Sequence, residues 1–348
     1  MRCIPVSNLQ SLVAKFSGVA MMLASLYFYL AGTMDLANCS TMLVCSFMLF
    51  NALEAGGNYS ALLRTIDIGV TKASKILALP TMNIDGKANA KNETSLDVSN
   101  PCGNNIEAKN IDFAYDKRKI IDNISLKIPA NTTTAIVGPS GGGKTTFCHL
   151  LARFWDVDKG TVSLGGKDVR DYNMDDLMKN FSFVFQNVYL FHDTIANNIR
   201  FGEPDAPMEK VIAAAKKACC HDFISSLPNG YDTVIGEGGA SLSGGEKQRI
   251  SIARAIMKDA PIIILDEATA NVDPENEREL MNAVTELTKA KTVIMIAHRL
   301  KTVRNADQII VIDKGRIAEK GKHDELVKKG GIYARFIDSR KEAVSWKI

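Results

Sequence analysis

A glycine-rich segment that follows a short apolar run constrains this chain more than any other feature. The run 134–137 leads into Gly-Pro-Ser-Gly-Gly-Gly-Lys-Thr-Thr at residues 138–146. This spacing fits G-x-x-x-x-G-K-[ST], in which glycines let the backbone curl and direct its N–H groups at phosphate oxygens. A helix predicted over 145–154 would present its N-terminus to the same anion. The segment therefore predicts a nucleotide site; the alternative is a glycine-rich turn that merely precedes a helix.

The residue types of this motif predict their roles. Lys144 is expected to neutralise the β and γ phosphates, and Thr145 is expected to ligate Mg²⁺. The surrounding backbone should supply the remaining contacts to the phosphates. The predicted nucleotide-binding residues of this segment are Gly138, Pro139, Ser140, Gly141, Gly142, Gly143, Lys144, Thr145 and Thr146.

An acidic pair at the end of a second apolar run complements the glycine-rich segment. Residues 262–265 read Ile-Ile-Ile-Leu and lead directly into Asp266 and Glu267. A carboxylate at this place is where phosphate-loop enzymes hold Mg²⁺, which makes Asp266 the expected metal ligand. Glu267 could polarise the attacking water as a general base. The alternative is a charged pair that only ends a strand.

A second phosphate-binding pattern occurs at Leu242-Ser243-Gly244-Gly245-Glu246-Lys247-Gln248-Arg249. A serine hydroxyl and glycine N–H groups at a helix N-terminus form an anion site. One γ phosphate does not need two such sites. The predicted nucleotide contacts here are Ser243, Gly244, Gly245 and Glu246.

The three motifs, in this order, resemble the ATP-binding cassette (ABC) family over about residues 104–342. The resemblance implies an α/β phosphate-loop NTPase fold that binds ATP and Mg²⁺ and hydrolyses ATP. It also implies a head-to-tail dimer with a second ABC subunit, identical or different, in which the subunits share two composite ATP sites. Because the cradle at Ser243 would serve a partner's nucleotide, the resemblance accounts for both phosphate-binding patterns.

The resemblance also assigns roles to four further residues. Tyr115 stands where the family stacks an aromatic ring on adenine, and a plain strand tyrosine is the alternative. Gln186 is similar to the glutamine that touches Mg²⁺ and water. Asp273 resembles an aspartate that communicates across the dimer, although ordinary N-capping is its alternative. His298 follows a predicted strand, where the family's switch histidine contacts the γ phosphate.

The first part of the chain differs in composition from the rest. Its charged side chains before residue 64 are Arg2, Lys15, Asp35 and Glu54, and apolar blocks occupy about 12–31 and 36–55. Each block approaches the ~20 residues that a helix needs to cross a bilayer, which predicts two spans. A signal peptide and a buried hairpin of a soluble protein are the alternatives. The flanking cations predict that both ends are cytoplasmic.

This first part is similar to the last two of six spans in an exporter-type ABC subunit. A helix over 59–79 would then descend from the second span, and the polar stretch 81–103 would be a linker. We therefore expect an all-α partial transmembrane domain over 1–80, truncated at its N-terminus, and an ABC domain over 104–342. A cell-membrane location, a cytoplasmic ATP-binding domain and an unknown transported substrate follow from this interpretation.

The charge balance bears on the other functions considered. The chain has 42 basic and 39 acidic side chains, so no whole-chain field favours nucleic acid, and no nucleic-acid partner is expected. Seven cysteines without metal or disulfide spacing indicate reduced thiols. Two alternatives remain open: a soluble ABC ATPase that acts on nucleic acid or ribosomes, and a remnant that binds ATP without coupling to transport.

Overall fold

The computed structural model describes residues 4–78, 82–85, 103–236, 242–266, 274–297 and 303–345. Its contacts divide the chain into two compact units, Met1–Thr81 and Met82–Ile348. Of the predicted site residues, Glu267, Asp273 and His298 lie outside the described residues.

The first unit is an antiparallel pair of helices, α1 (Ile4–Leu30) and α2 (Leu36–Leu77). Asp35 caps α2 by accepting the Asn38 N–H at 3.1 Å. Hydrogen bonds between described residues join the helices: the Ser46 hydroxyl donates to the Gly18 carbonyl at 3.3 Å, and Cys39 Sγ donates to the Ser25 carbonyl at 3.6 Å. The helices therefore approach closely along a seam of small residues.

Helix α2 runs without a break through Gly56 and Gly57. The stretch predicted as a separate helix over 59–79 is its second half, and the helix ends at Leu77. Among the described residues, no helix contains a segment both long and apolar enough to cross a membrane. The domain bounds predicted here, with spans at 12–31 and 36–55, stay predictions.

The second unit is built on a mixed sheet of six strands in the order β12-β11-β3-β10-β9-β6, a smaller antiparallel sheet in the order β2-β1-β4-β5, and a short β7-β8 pair. The strands are β1 (Ile106–Tyr115), β2 (Arg118–Ile128), β3 (Thr133–Val137), β4 (Lys159–Leu164), β5 (Lys167–Asp168), β6 (Phe181–Val184), β7 (Asp193–Thr194), β8 (Val234–Ile235), β9 (Ile262–Asp266), β10 (Thr292–Ile296), β11 (Gln308–Asp313) and β12 (Arg316–Gly321).

Helices cover the sheets and connect the strands. They are α3 (Lys144–Leu151), α4 (Met174–Lys179), α5 (Ile195–Arg200), α6 (Met208–Lys217), α7 (His221–Ser226), α8 (Gly244–Lys258), α9 (Pro274–Thr288), α10 (His323–Lys329) and α11 (Ile332–Ser345). The predicted α/β fold class is confirmed, with the phosphate-loop arrangement of strand, loop and helix at β3 and α3.

Two apolar cores lie on opposite faces of the six-stranded sheet, because successive strand residues point to opposite sides. In β3, Ala135 and Val137 pack into the core that contains α8, whereas Ile136 packs into the core that contains Phe147 of α3. Strands β6, β9, β10, β3 and β11 are parallel. Their carboxyl ends therefore meet at one edge, which is where ligands bind in open α/β sheets.

Candidate functional site

The glycine-rich loop stands at the carboxyl end of β3 and turns directly into α3. Gly138 has a φ of +143°, and a Cβ at this position would lie 2.1 Å from the Ile312 carbonyl oxygen. Gly143 is the N-terminal cap of α3 with a φ of +101°. Glycine is needed at both positions because a side chain would clash or strain the backbone. The loop is thus fitted against β11 on one side and the start of α3 on the other.

Lys144 is directed back into this loop. Its Nζ donates to the carbonyls of Gly138 at 3.0 Å and Pro139 at 2.9 Å, and the side chain is buried. A buried ammonium gives the loop the positive potential that phosphate requires. The sequence prediction for Lys144 concerned phosphate alone, and its role in bracing the loop is a structural addition.

Thr145 and Asp266 meet across 121 residues of sequence. The Thr145 hydroxyl donates to Asp266 Oδ2 at 3.3 Å. The contact forms because β10 lies between β3 and β9, with Ile296 level with both Ile136 and Asp266. A hydroxyl and a carboxylate oxygen at one point are the hard ligands that Mg²⁺ prefers, with waters and phosphates completing its shell. The donor set therefore fits this ion.

Gln186 follows β6 at the same edge. It lies two residues beyond Val184, which pairs with Leu265 of β9. The amide of Gln248, on α8, donates to the carbonyl of Phe185 at 3.3 Å. The structure thus places Gln186 near the end of β9. Gln248, whose contact was not predicted, bonds the peptide just before Gln186 to α8. The place of Gln248 beside the Ser-Gly-Gly motif was the sequence feature that could have indicated this contact.

The second anion pattern begins α8. Ser243 is its N-terminal cap: its hydroxyl accepts the Glu246 N–H at 3.3 Å, and Glu246 Oε2 accepts the Ser243 N–H at 2.8 Å. This is a capping box, which fixes the first turn of the helix. Helix α8 starts at Gly244, directly after Ser243. The carboxylate of Glu246 thus has a capping role; its predicted nucleotide contact, like those of Gly244 and Gly245, stays a prediction.

Tyr115 ends β1 within a cluster of aromatic rings. Its ring packs edge-on against Phe113 at 4.9 Å and against Trp155 at 5.6 Å between centroids. Tyr115 and Trp155 are both partly exposed, at 37% and 48%. The Tyr115 ring itself is flat and partly exposed, and a ring of this kind suits stacking on a purine. The contact of Trp155 with Tyr115 was not predicted, because Trp155 follows α3 and belongs to no recognised motif.

Two titratable groups of α3 lie near Asp266 and stay uncharged. Burial raises the pKa of the Cys148 thiol, and the Asp266 carboxylate raises it further. Burial lowers the pKa of His149 below its ordinary value, a shift that Asp266 partly opposes. At neutral pH, Cys148 is therefore a neutral thiol, and burial favours the neutral form of His149.

We expect Gly138→Ala to destabilise the fold strongly and to abolish phosphate binding. The positive φ costs of order 1–3 kcal/mol for a residue with a side chain. The clash with Ile312 adds about 1–3 kcal/mol. The matched control is Gly166→Ala, at a φ of +86° with nothing within 4 Å of the new Cβ, where only backbone strain is expected. Denaturant unfolding measures the free energy of unfolding of the two variants. Equal decreases in this free energy would contradict the close fit at Gly138.

Comparison with known proteins gives one family. Residues 121–270 match the family model for the ABC transporter domain. A lipid A-core flippase of Desulfotalea psychrophila is 45% identical over 269 residues, which are 77% of this chain and 46% of that protein. One from Haemophilus influenzae is 49% identical over 236 residues, or 67% of this chain and 40% of that protein. The chain spans less than half the length of these relatives.

Among solved structures, the chain is similar to a bacterial Atm1-family ABC exporter with ATP bound. The TM-score is 0.70 at 34% identity, and the match covers 96% of this chain and 57% of the other. The family match spans the end of β9 as well as the phosphate loop, and therefore contains the Thr145–Asp266 contact. The nucleotide-binding domain of this chain belongs to the ABC transporter family.

Proposed function

We propose that this chain is the ATP-hydrolysing part of an exporter-type ABC transporter, working in the membrane as a dimer. The observation that carries the proposal is the contact between Thr145 and Asp266 at 3.3 Å. It joins the loop that would cradle the phosphates to the strand end that would hold the metal, so one Mg²⁺–ATP can engage both.

Each described residue of the site then has a defined task. Lys144 and the backbone N–H groups of residues 138–146, except Pro139, which has none, hold the β and γ phosphates. Thr145 and Asp266 hold Mg²⁺, which supplies charge neutralisation on the phosphate oxygens when bound. Tyr115 stacks on adenine, and Gln186 orients water near the metal. Catalysis on this scheme is positioning and electrostatics, as expected of phosphoryl transfer.

Three predicted residues outside the described part complete the proposal. Glu267 follows Asp266 directly and accepts a proton from the attacking water. His298 comes in sequence two residues after β10, the strand that lies between β3 and β9, and its proposed role is to contact the γ phosphate. Asp273 precedes α9 and connects the two subunits across the dimer.

The helical unit supports the membrane part of the proposal through its surface. Large apolar side chains on α1 and α2 are exposed to an unusual extent, among them Phe16 at 71%, Phe47 at 63% and Met48 at 66%. Contiguous exposed apolar surface marks contact with a partner or a membrane. Because curated relatives are lipid A-core flippases, we propose the bilayer as the environment and an amphipathic lipid as the first substrate class to test.

We expect the purified chain to hydrolyse ATP only when Mg²⁺ is present. Asp266→Asn and Thr145→Ala should each weaken the binding of Mg²⁺. Loss of one ligand to the ion should reduce turnover and raise the Mg²⁺ concentration needed for half-maximal activity, since an amide or a methyl group replaces a hard oxygen ligand. Thr285→Ala is the matched control, because Thr285 lies exposed on α9 and bonds only its own helix at Met281. Phosphate release across a Mg²⁺ titration is the measurement; an unchanged Mg²⁺ dependence in both site variants would contradict the assignment.

A further inference from the structure

Arg153 is a buried cation that the proposed chemistry does not use. It follows α3, is 1% exposed and has a φ of +57°. Its guanidinium pairs with Asp156 at 2.9 Å and donates to the carbonyls of Val169 and Tyr172, each at 3.3 Å. A fourth bond, at 2.7 Å, reaches the carbonyl of Asn83. A fully buried arginine needs such a set of acceptors, and one of them comes from a distant part of the chain.

The distant acceptor belongs to a short segment, residues 82–85, which we call the strap. The strap lies in sequence between α2 and β1. Besides the Arg153 contact, the N–H of Met174 donates to the Ile84 carbonyl at 2.9 Å. Within the strap, the Asp85 N–H donates to the Asn83 side chain at 3.2 Å, which shapes its turn. Two bonds from the nucleotide-binding domain therefore hold this piece of the connecting chain.

The loop that begins with Arg153 also contacts the ring of Tyr115, which we call the adenine platform after its proposed role. Residues 153–158 connect α3 to β4, and we call them the clasp. Within it, the Trp155 ring packs on Tyr115, and Asp158 Oδ2 accepts the Ala114 N–H at 2.8 Å. The Asp158 N–H also donates to the Asp112 carbonyl at 2.9 Å. The clasp thus fixes the end of β1, where Tyr115 stands, from both its backbone and its ring.

We infer that the clasp transmits the position of the strap to the adenine platform, so that docking of the connecting chain tightens ATP binding. Arg153 and Trp155 are positioning residues in this scheme: Arg153 bonds the strap, and Trp155 orients the Tyr115 ring. The inference rests on the proposed function, since it assumes that Tyr115 stacks on adenine. It adds a route by which the segment leading out of the helical unit governs nucleotide affinity.

The guanidinium is suited to this task for a physical reason. It presents five N–H donors in a fixed plane, so one side chain can hold the strap, the clasp and the turn after β5 at once. Lysine has one flexible ammonium and cannot span these acceptors together. Arg153→Lys therefore keeps the charge while releasing part of the network, and the clasp and Trp155 lose their fixed relation to the strap.

The test compares two ligands that differ in the adenosine group. We expect Arg153→Lys and Asn83→Gly, in the full chain, to weaken ATP binding about 2- to 10-fold, the range of one aromatic contact. Binding of inorganic tripolyphosphate should change by less than about 2-fold, because the phosphate loop is untouched. Arg200→Lys is the matched control: Arg200 on α5 donates to the Ala206 carbonyl and to the Asn197 side chain, and none of these residues belongs to the strap or the clasp. Calorimetric titration gives each Kd.

Each outcome decides the matter. Selective loss of ATP affinity in both variants supports the clasp. Equal loss for ATP and tripolyphosphate, or no loss for either, overturns it. If Arg153→Lys unfolds, Asn83→Gly carries the test alone, since Asn83 is exposed and its side chain accepts the Asp85 N–H within the strap. A parent chain that binds neither ligand would instead remove the proposed function itself, so the two failures are distinguishable.

Discussion

Replacing Glu267 with glutamine is expected to leave ATP bound while slowing its hydrolysis by roughly 10²- to 10⁴-fold, the usual contribution of a general base. The amide keeps the size of the side chain and loses its affinity for a proton. Binding should persist because it depends on Lys144, Thr145 and Tyr115. ATP affinity and phosphate release, measured on the same preparation, separate the two effects.

The matched control for this change is Glu286→Gln. Glu286 lies on α9 and pairs with Lys289 at the surface, so the same loss of charge there should leave turnover unchanged. A Glu267→Gln chain that hydrolysed ATP at the parental rate would exclude Glu267 as the base. A chain that lost ATP binding as well would show that the residue acts in the ground state rather than in the chemical step.

The strand, loop and helix around residues 138–146 could be predicted because local chemistry dictates them. Gly138 and Gly143 adopt backbone angles that other residues resist, and Lys144 and Thr145 follow at fixed spacing. The runs ending at Leu265 and Ile296 have the lengths of buried parallel strands, and both are strands in the structure. Patterns that reside within a few consecutive residues were sufficient here.

Boundaries set by competing local effects were harder to predict. Gly56 and Gly57 fall between an apolar block that was expected to end at Ala55 and a helix that was expected to begin at Tyr59, yet α2 continues through them. A glycine inside a helix costs only about 1 kcal/mol relative to alanine, which neighbouring turns can offset. At α8, by contrast, the Ser243–Glu246 capping box sets the helix start at Gly244, and this pattern lies within four consecutive residues.

Contacts between distant segments could be predicted only where a shared ligand links the residues, as the expected Mg²⁺ links Thr145 and Asp266. Trp155 meets Tyr115 across 40 positions, and Arg153 reaches Asn83 across 70. Such pairs depend on how β1, α3 and the strap are brought together by the finished fold, and no short pattern encodes that. The geometry of the phosphate loop was therefore predictable from the sequence, whereas the packing around Tyr115 was not.

Two damaged chains are expected to restore activity when mixed. The variants are Lys144→Ala, which removes the phosphate-binding ammonium, and Ser243→Arg, which fills the cradle at the start of α8. Each homodimer has both sites damaged, because every composite site takes one part from each subunit. In the mixed dimer, one site receives both defects and the other receives none. Recovery should reach at most roughly a quarter of the parental rate, since random pairing makes half the dimers mixed and each has one intact site.

The result depends on Ser243 serving the partner's nucleotide rather than its own. If one chain supplied both the phosphate loop and the α8 cradle to a single site, every site in the mixture would keep one defect, and no recovery would appear at any ratio. Ser226→Arg is the matched control, because Ser226 lies exposed on α7 and bonds only the Phe223 carbonyl of its own helix. That variant should hydrolyse ATP normally alone. When Ser226→Arg is mixed with Lys144→Ala, the ATPase rate should fall in proportion to the dilution of the active chain. The rate of the Ser243→Arg mixture should instead exceed the sum of the rates of its two inactive variants.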